Sequence, residues 1–315
     1  MLNRRTLRIK VMQGIYSSQL NDTLKSRVLE ANIERSIRNT YQLHLYNLLV
    51  ITRVAGYVVE DEKRRARKHL QTNKSSHFST RIATAPFVQY LSENVAFNAA
   101  LKQEKLVPRL DKSVTRKLYQ KLSESDTYQK YCAKETVSDS DHRRIIRHLF
   151  KKVMLPNEVY QAHLDDTFIS WIDDEKSIAS SVTNAINSFQ VKDDRFTVLL
   201  SKEEWNERTM FFKQLLYKTQ SNYASFSEMI SPQLENWEIE RVTTIDTILM
   251  MMALCELMFF PTIPVKVSIN EYIDISKIYS TPKSKDFING ILDKLMKKLK
   301  DEGRIQKTGR GLVGG

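Results

Sequence analysis

Residues 263–294, IPVKVSINEYIDISKIYSTPKSKDFINGILDK, contain two helical patterns separated by a proline turn. The first helix is expected to open at Pro264, because a proline in the first turn loses no helical hydrogen bond. One of its faces carries Val265, Ile269, Tyr272, Ile273 and Ser276. Thr281 and Pro282 predict the cap and first turn of the second helix. Its apolar residues recur at spacings of three and four, at Phe287, Ile288, Ile291, Leu292, Leu295 and Leu299.

Gly290 lies inside the second pattern, where a glycine costs about 1 kcal/mol relative to alanine. It predicts a close approach of another helix or of a ligand. The totals extend the helical reading to the whole chain. Only 8 glycines and 7 prolines occur in 315 residues, too few for the frequent turns of a β protein. The chain is long enough for one large domain or two, and the fold class expected is all-α.

The formal net charge is +12, which favours a polyanionic partner, with nucleic acid first. A basic solvated surface without a specific ligand is the alternative. The first predicted helix, residues 3–20, contains Arg4, Arg5 and Arg8, and no acidic residue occurs in the chain before Asp22. Arginines at a helix N-terminus oppose the helix dipole. The cluster therefore indicates an unneutralised anion-binding site, unless it is only a frayed basic terminus.

Between the ends of the chain, several helical segments are predicted. Residues 23–70 form a long helix or a helical pair, with Gly56 as a break or a close-packing point. A polar linker follows at 71–81, and short amphipathic helices occupy 86–135. A capping box formed by Ser201 and Glu204 predicts another helix start. The apolar run 248–260 is interrupted by Glu256 and is too short to span a membrane, so it predicts the central buried helix.

No residue pattern indicates a catalytic or metal site. The six histidines show no helical pairing, and Cys132 and Cys255 have no metal or redox spacing, which predicts two buried free thiols in a cytoplasmic protein. The acidic residues near Phe168 and Trp171 predict a solvated helix rather than a magnesium site. No cofactor is expected.

Two segments resemble the NusB transcription antitermination family. RRTLRIKVMQGIYSSQ, residues 4–19, resembles the arginine-rich first helix of that family, and residues 263–294 resemble its C-terminal helices. The segment RVTTIDTILMMMALCEL, residues 241–257, is similar to the preceding buried helix. The matching positions are Arg4, Arg5, Arg8, Gln13, Tyr16 and Gln19 in the first segment, and Pro264, Lys266, Asn270, Glu271, Phe287, Asn289, Gly290, Asp293 and Lys294 in the last.

The resemblance implies an all-α, NusB-like helical bundle of two subdomains without catalysis. The chain is longer than is common in the family and looks like a long, Bacteroidetes-type form. The expected organisation is an N-terminal helical subdomain at 1–70, a helical insertion at 71–200, a NusB-like core at 201–300 and a flexible basic tail at 301–315. The insertion could cover part of an RNA site or add to it.

The resemblance also implies partners: single-stranded boxA RNA of ribosomal-operon leaders, the ribosomal protein NusE and the elongating RNA polymerase complex, with no membrane. It places RNA on the first helix and on nearby C-terminal residues. The residues expected to bind RNA are Arg4, Arg5, Arg8, Gln13, Tyr16, Lys283 and Phe287, with core packing as the alternative for Phe287 and Tyr16. The alternative functions are a protein-only helical scaffold and an RNA-modifying enzyme with a NusB-like domain.

Overall fold

The computed structural model describes residues 2–20, 26–67, 78–234 and 243–312, and these residues form fourteen α-helices and no β-strand. The prediction of an all-α protein is confirmed. The chain divides into two compact units. Unit 1 contains Arg38–Ser201, and unit 2 contains Leu2–Ile37 and Lys202–Gly315.

Unit 2 combines both ends of the chain. Besides the first part of α2, its helices are α1 (Arg4–Gln19), α10 (Lys202–Ser221), α11 (Tyr223–Leu234), α12 (Thr244–Phe259), α13 (Val265–Tyr279) and α14 (Ser284–Asp301). The predicted starts of α10 and α13 and the predicted extent of α1 agree with these bounds.

Helix α12 is the central element of unit 2, as its composition predicts. Every residue from Ile248 to Leu257 is buried, and α1, α10, α11, α13 and α14 all pack against it. Thr243 caps its N-terminus in a capping box with Asp246, so the backbone donors at the buried end are satisfied. A helix that is apolar on all sides is stable only when neighbours surround it.

Unit 1 contains the rest of α2 and a sequence of shorter helices. Helix α2 is Ser26–Arg67, and the others are α3 (Pro86–Glu93), α4 (Val95–Gln103), α5 (Lys112–Ser123), α6 (Asp126–Ala133), α7 (Asp139–His148), α8 (Glu158–Thr167) and α9 (Trp171–Ser188). A π-helical segment, Leu149–Met154, continues α7. Tyr46, Phe150, Tyr160 and Trp171 are fully buried, which gives unit 1 a core of its own.

The break or close-packing point expected at Gly56 is not found. Helix α2 runs unbroken through Gly56, and apart from the adjoining backbone of the helix itself no atom lies within 4 Å of the position that a Cβ would occupy there. The division between the units falls after Ile37, inside α2, whereas the linker expected at 71–81 lies mostly outside the described residues. The insertion expected at 71–200 remains a prediction.

The second helix of the 263–294 stretch begins later than expected. Helix α14 starts at Ser284, with Lys283 rather than Thr281 at the capping position. The buried Ser284 hydroxyl donates to Asp246 Oδ2 of α12 at 2.9 Å, and its amide donates to the Thr281 carbonyl at 3.0 Å. This tertiary contact fixes the helix start, which the local Thr-Pro pattern does not reveal.

The segment expected to be a flexible tail makes defined contacts as far as Gly311. The Thr308 amide donates to the Pro261 carbonyl at 3.0 Å, and Lys307 Nζ donates to the carbonyls of Glu256 and Phe260 at 3.2 and 3.0 Å. Cys132 and Cys255 are free and buried, as predicted. Among the described helices, none has the length and apolarity needed to cross a membrane.

Candidate nucleic-acid interface

Helix α1 presents its arginines at its N-terminal end. Asn3 caps the helix, since its Oδ1 accepts from the Thr6 amide at 2.8 Å, and the first turn contains no acidic residue. The helix packs against α10, α12 and α13 of the same unit. These three helices carry the carboxylates that decide what each arginine can do.

Arg8 is not a surface residue. Its side chain is 2% exposed, and its guanidinium binds the buried carboxylate of Glu256 through two hydrogen bonds, from Nε at 2.8 Å and from Nη2 at 2.6 Å. Nη1 donates to Glu271 Oε2 at 3.2 Å. The expectation that Arg8 contacts RNA is therefore corrected: its donors are directed into the core.

Glu256 is fully satisfied at the centre of this network. Besides Arg8, the hydroxyls of Ser268 and Tyr272 donate to it at 2.7 and 3.1 Å. Burial disfavours the charged form of Arg8, but the hydrogen bonds and the charge of Glu256 outweigh it and raise the pKa of the guanidinium. The Arg8 guanidinium therefore stays charged at every physiological pH. A buried, fully hydrogen-bonded pair of this kind fixes how α1 sits on α12.

Arg5 is half-exposed and is held by two carboxylates of α13. Its Nε and Nη2 donate to Glu271 at 2.9 and 2.8 Å, and Nη2 also donates to Asp274 Oδ2 at 2.9 Å. Hydrogen bonds from Lys277 and attraction to Arg5 lower the pKa of Asp274, so this carboxyl stays ionised at neutral pH. An incoming phosphate must compete with these groups for Arg5.

Arg4 is the most available of the three arginines. Its side chain is 46% exposed, and its ion pair with Glu207 of α10 is 3.3 Å long between two solvated groups. Exposed pairs contribute about 0–1 kcal/mol, so an anion can replace this one at little cost. The guanidinium also lies over the Phe211 ring, 5.4 Å from its centroid, which orients it.

The remaining residues expected to bind RNA differ in their exposure. Tyr16 is 36% exposed and Gln13 is half-buried on α1. Arg5 and Tyr16 are eleven residues apart, which places them on the same side of the helix at a separation of about 16 Å. Lys283 is exposed at the cap of α14, whereas Phe287 is 8% exposed and belongs to the apolar core of that helix. Stacking of RNA bases on Phe287 is not possible in this arrangement.

The neutralising carboxylates were missed because they lie 203 to 269 residues from the arginines along the chain. Glu207, Glu256, Glu271 and Asp274 all belong to helices far from α1 in sequence. One signal was present. A lone glutamate within the apolar run 248–260 must be buried, and a buried carboxylate requires a cationic partner.

The comparisons with known proteins address this same part of the chain. The profile of the NusB family matches residues 176–297. A transcription antitermination protein NusB of Natranaerobius thermophilus is 37% identical over 100 residues, which are 31% of this chain and 72% of that protein. The chain belongs to the NusB family.

Two further NusB proteins agree with the assignment. Transcription antitermination protein NusB of Salinibacter ruber is 44% identical over 104 residues, and that of Chloroherpeton thalassium is 41% identical over 103 residues. Each alignment covers 33% of this chain, and 65% and 49% of the respective relatives, so less than two thirds of either is spanned. No solved structure matches.

In this NusB-family chain the profile match includes α10 to α13 and most of α14, which are helices of unit 2. Helices α3 to α8 of unit 1 lie before it. The candidate interface is therefore the end of unit 2 formed by Arg4 and Arg5 with Gln13 and Tyr16 behind them, hereafter the α1 surface. Among the described residues, no group of three or more His, Cys, Asp or Glu is placed to hold a metal ion.

Proposed function

We propose that this chain is a non-catalytic transcription antitermination factor that binds boxA-type leader RNA of ribosomal operons together with NusE, in the cytoplasm, on elongating RNA polymerase. The observation that carries the proposal is membership of the NusB family, whose relatives are named transcription antitermination proteins. The helices of unit 2 that the family profile matches are also the helices that hold α1 in place.

In this proposal, the residues that contact RNA differ in how readily they can leave their present partners within the protein. Arg4 supplies a guanidinium that leaves a weak, exposed pair, and Arg5 supplies one that must first be shared with Glu271 and Asp274. Guanidinium groups bind phosphate oxygens through paired N–H donors. Tyr16 offers a partly exposed ring for a base, while Gln13 and Lys283 offer polar contacts. Arg8 holds Glu271, which in turn binds Arg5 of the α1 surface. Phe287 packs in the apolar core of α14.

The test is binding of the full chain to fluorescent boxA RNA, with and without NusE, against a shuffled RNA of the same length and composition. We expect boxA RNA to bind more tightly than the shuffled RNA, and NusE to increase that difference. Equal binding of the two RNAs in the presence of NusE would contradict recognition of boxA. Binding of NusE without any binding of RNA would favour the protein-only scaffold instead.

A further inference from the structure

A second cationic site lies in unit 1, in a cavity of about 320 Å³ between α6 and α7. Lys130 and Lys134 reach it from α6 and its C-terminal cap, and Arg144 and Asp141 reach it from α7. Its apolar wall is formed by Tyr131 and Ile145, which are buried between the two helices. These helices precede residues 176–297, so the family match does not assign this cavity a role.

The charge around the cavity is not balanced. Lys134 Nζ pairs with Asp141 Oδ1 at 2.6 Å, and Asp141 Oδ2 accepts from the amide and hydroxyl of Ser138 in the cap of α7. The hydrogen bond from Lys134 and those from Ser138 lower the pKa of Asp141 to about 2. The single negative charge of Asp141 is therefore balanced by Lys134, which leaves the two other cations of the lining without a counter-charge among the lining residues.

Lys130 and Arg144 are the uncompensated cations. Both side chains are exposed, and neither has a hydrogen-bond or ion-pair partner within the part of the chain that the structure describes. Two cations from neighbouring helices thus point at one concave site while its only carboxylate is occupied. Such an arrangement creates a positive potential, which is focused in a cleft and attracts an anion.

A side-chain hydrogen bond joins the two helices that line the site. The hydroxyl of Tyr131 and Nδ1 of His142 are 2.8 Å apart, which links α6 to α7. A guanidinium and an ammonium on one rim suit a phosphate group, which accepts from both.

We propose that the cavity between α6 and α7 binds the phosphodiester backbone of RNA through Lys130 and Arg144, so that unit 1 adds a contact to those of the α1 surface. The inference rests on the proposed RNA-binding function and extends it to a part of the chain outside the family match. Lys134 is paired with Asp141 and adds no net charge to the site.

The first test measures the salt dependence of RNA binding by the full chain. The double variant Lys130→Ala/Arg144→Ala is compared with Arg116→Ala/Lys117→Ala, which removes the same charges from the exposed side of α5. The RNA is boxA RNA with leader nucleotides on both sides. Losing two phosphate contacts lowers the log–log salt slope by about 1.4, or roughly 25-fold in affinity at 0.1 M salt if binding converges at 1 M. The control should keep the wild-type slope.

The outcomes separate this inference from the proposed function. A wild-type slope in the cavity variant, together with weaker binding by Arg4→Ala/Arg5→Ala, overturns the cavity and leaves the function standing. Failure of the wild-type chain to bind any RNA overturns both. Equal effects of the cavity variant and the α5 control would show that only net charge matters, which also overturns the cavity.

The second test maps the site without a mutation. Lysine acetylation of the full chain, followed by mass spectrometry, should show that RNA protects Lys130 and leaves Lys117 unchanged. A parallel sample receives sodium phosphate at the same phosphate concentration and ionic strength. Protection by RNA alone supports the inference. Equal protection by free phosphate, or no protection by RNA, contradicts it.

Discussion

The ion pair between the guanidinium of Arg8 and the carboxylate of Glu256 shows that one buried partner changes the role expected of an arginine from its sequence. Three arginines in the first turn and a half of α1 look alike in the sequence, yet their exposure ranges from 2% for Arg8 to 46% for Arg4. The difference comes from the residues opposite them. Arg8 faces a buried carboxylate of α12, while Arg4 faces an exposed one of α10. Phosphate can replace Glu207 as the partner of Arg4. If it replaced Glu256 as the partner of Arg8, a buried carboxylate would lose its counter-ion.

Replacing Arg8 with methionine should destabilise unit 2 strongly. The change leaves Glu256 buried without its counter-ion, and breaking a buried pair in this way costs about 3–5 kcal/mol. The double variant Arg8→Met/Glu256→Gln should recover much of that loss, because no charge remains, the amide oxygen can accept from one of the hydroxyls of Ser268 and Tyr272, and the amide NH2 can donate to the other hydroxyl oxygen. Urea unfolding measures both. Identical losses in the single and double variants would show that the isolated charge is not the cause.

His44 makes unit 1 sensitive to acid. Burial lowers the pKa of its imidazole to about 3, and Nδ1 lies 2.7 Å from the Ser181 hydroxyl oxygen. In the unfolded chain the group titrates near its ordinary pKa of about 6.5. The unfolded state therefore binds the extra proton first, so the free energy of unfolding falls as the pH decreases from about 6.5 towards 3, by up to about 1.4 kcal/mol per pH unit from this group.

The variant His44→Asn checks this origin, because its amide can reach Ser181 but does not titrate. Urea unfolding at pH 7 and pH 5 should show a smaller loss of stability in the variant than in the wild-type chain. Equal losses in the two proteins would assign the acid sensitivity to other groups.

At the scale of the element, the end of α12 depends on a segment that local composition marks as a tail. Lys307 places its ammonium on the carbonyls of Glu256 and Phe260, where a cation complements the negative end of the helix. Burial lowers the pKa of this ammonium, and the charge of Glu256 opposes that shift. The segment 303–312 thus caps the central helix of unit 2.

Two glycines of unit 2 should respond to alanine in opposite directions. A Cβ at Gly311 would lie 1.9 Å from the Pro261 carbonyl oxygen, so the segment must move, at a cost of about 1–3 kcal/mol. Gly290 has no neighbour within 4 Å of its Cβ position, which corrects the expectation of close packing there. Since it lies inside α14, Gly290→Ala should stabilise by about 0.5–1 kcal/mol.

Thermal unfolding distinguishes the two glycines, and hydrogen exchange at the Thr308 amide reports on the segment itself. Gly311→Ala should lower the melting temperature and accelerate that exchange, while Gly290→Ala should raise the melting temperature and leave the exchange unchanged. Stabilisation by both changes would mean that the segment does not cap α12 in solution.

The helical periodicity of the sequence predicted where the helices lie, but it did not predict which residues of different helices contact each other. The apolar spacing predicted the extent of α1 and the start of α13, and the apolar run 248–260 predicted α12 as the buried central helix, although that helix begins at Thr244. The start of α14 was misplaced because a hydrogen bond from Ser284 to Asp246 decides it. The role of Arg8 was missed for the same reason, since its partner Glu256 lies 248 residues away.

At the scale of the whole molecule, the chain brings residues 2–37 and 202–315 into one unit and places 38–201 in another. The fold class and the family could be predicted from two short segments at opposite ends of the sequence. The division of α2 between the two units could not be predicted, because no residue pattern within this 42-residue helix indicates a boundary at Ile37, where the units divide. The two units also divide the proposed RNA contacts between the α1 surface and the cavity.

The salt dependence of boxA RNA binding in the presence of NusE, compared between the wild-type chain, Arg4→Ala/Arg5→Ala and Arg116→Ala/Lys117→Ala, tests the central claim most directly. Single-stranded RNA contributes about 0.7 to the log–log slope for each neutralised phosphate, so the α1 variant should lose about 1.4 and bind more weakly. The α5 control should match the wild type. A wild-type slope and affinity in the Arg4 and Arg5 variant would contradict the claim that the α1 surface binds RNA.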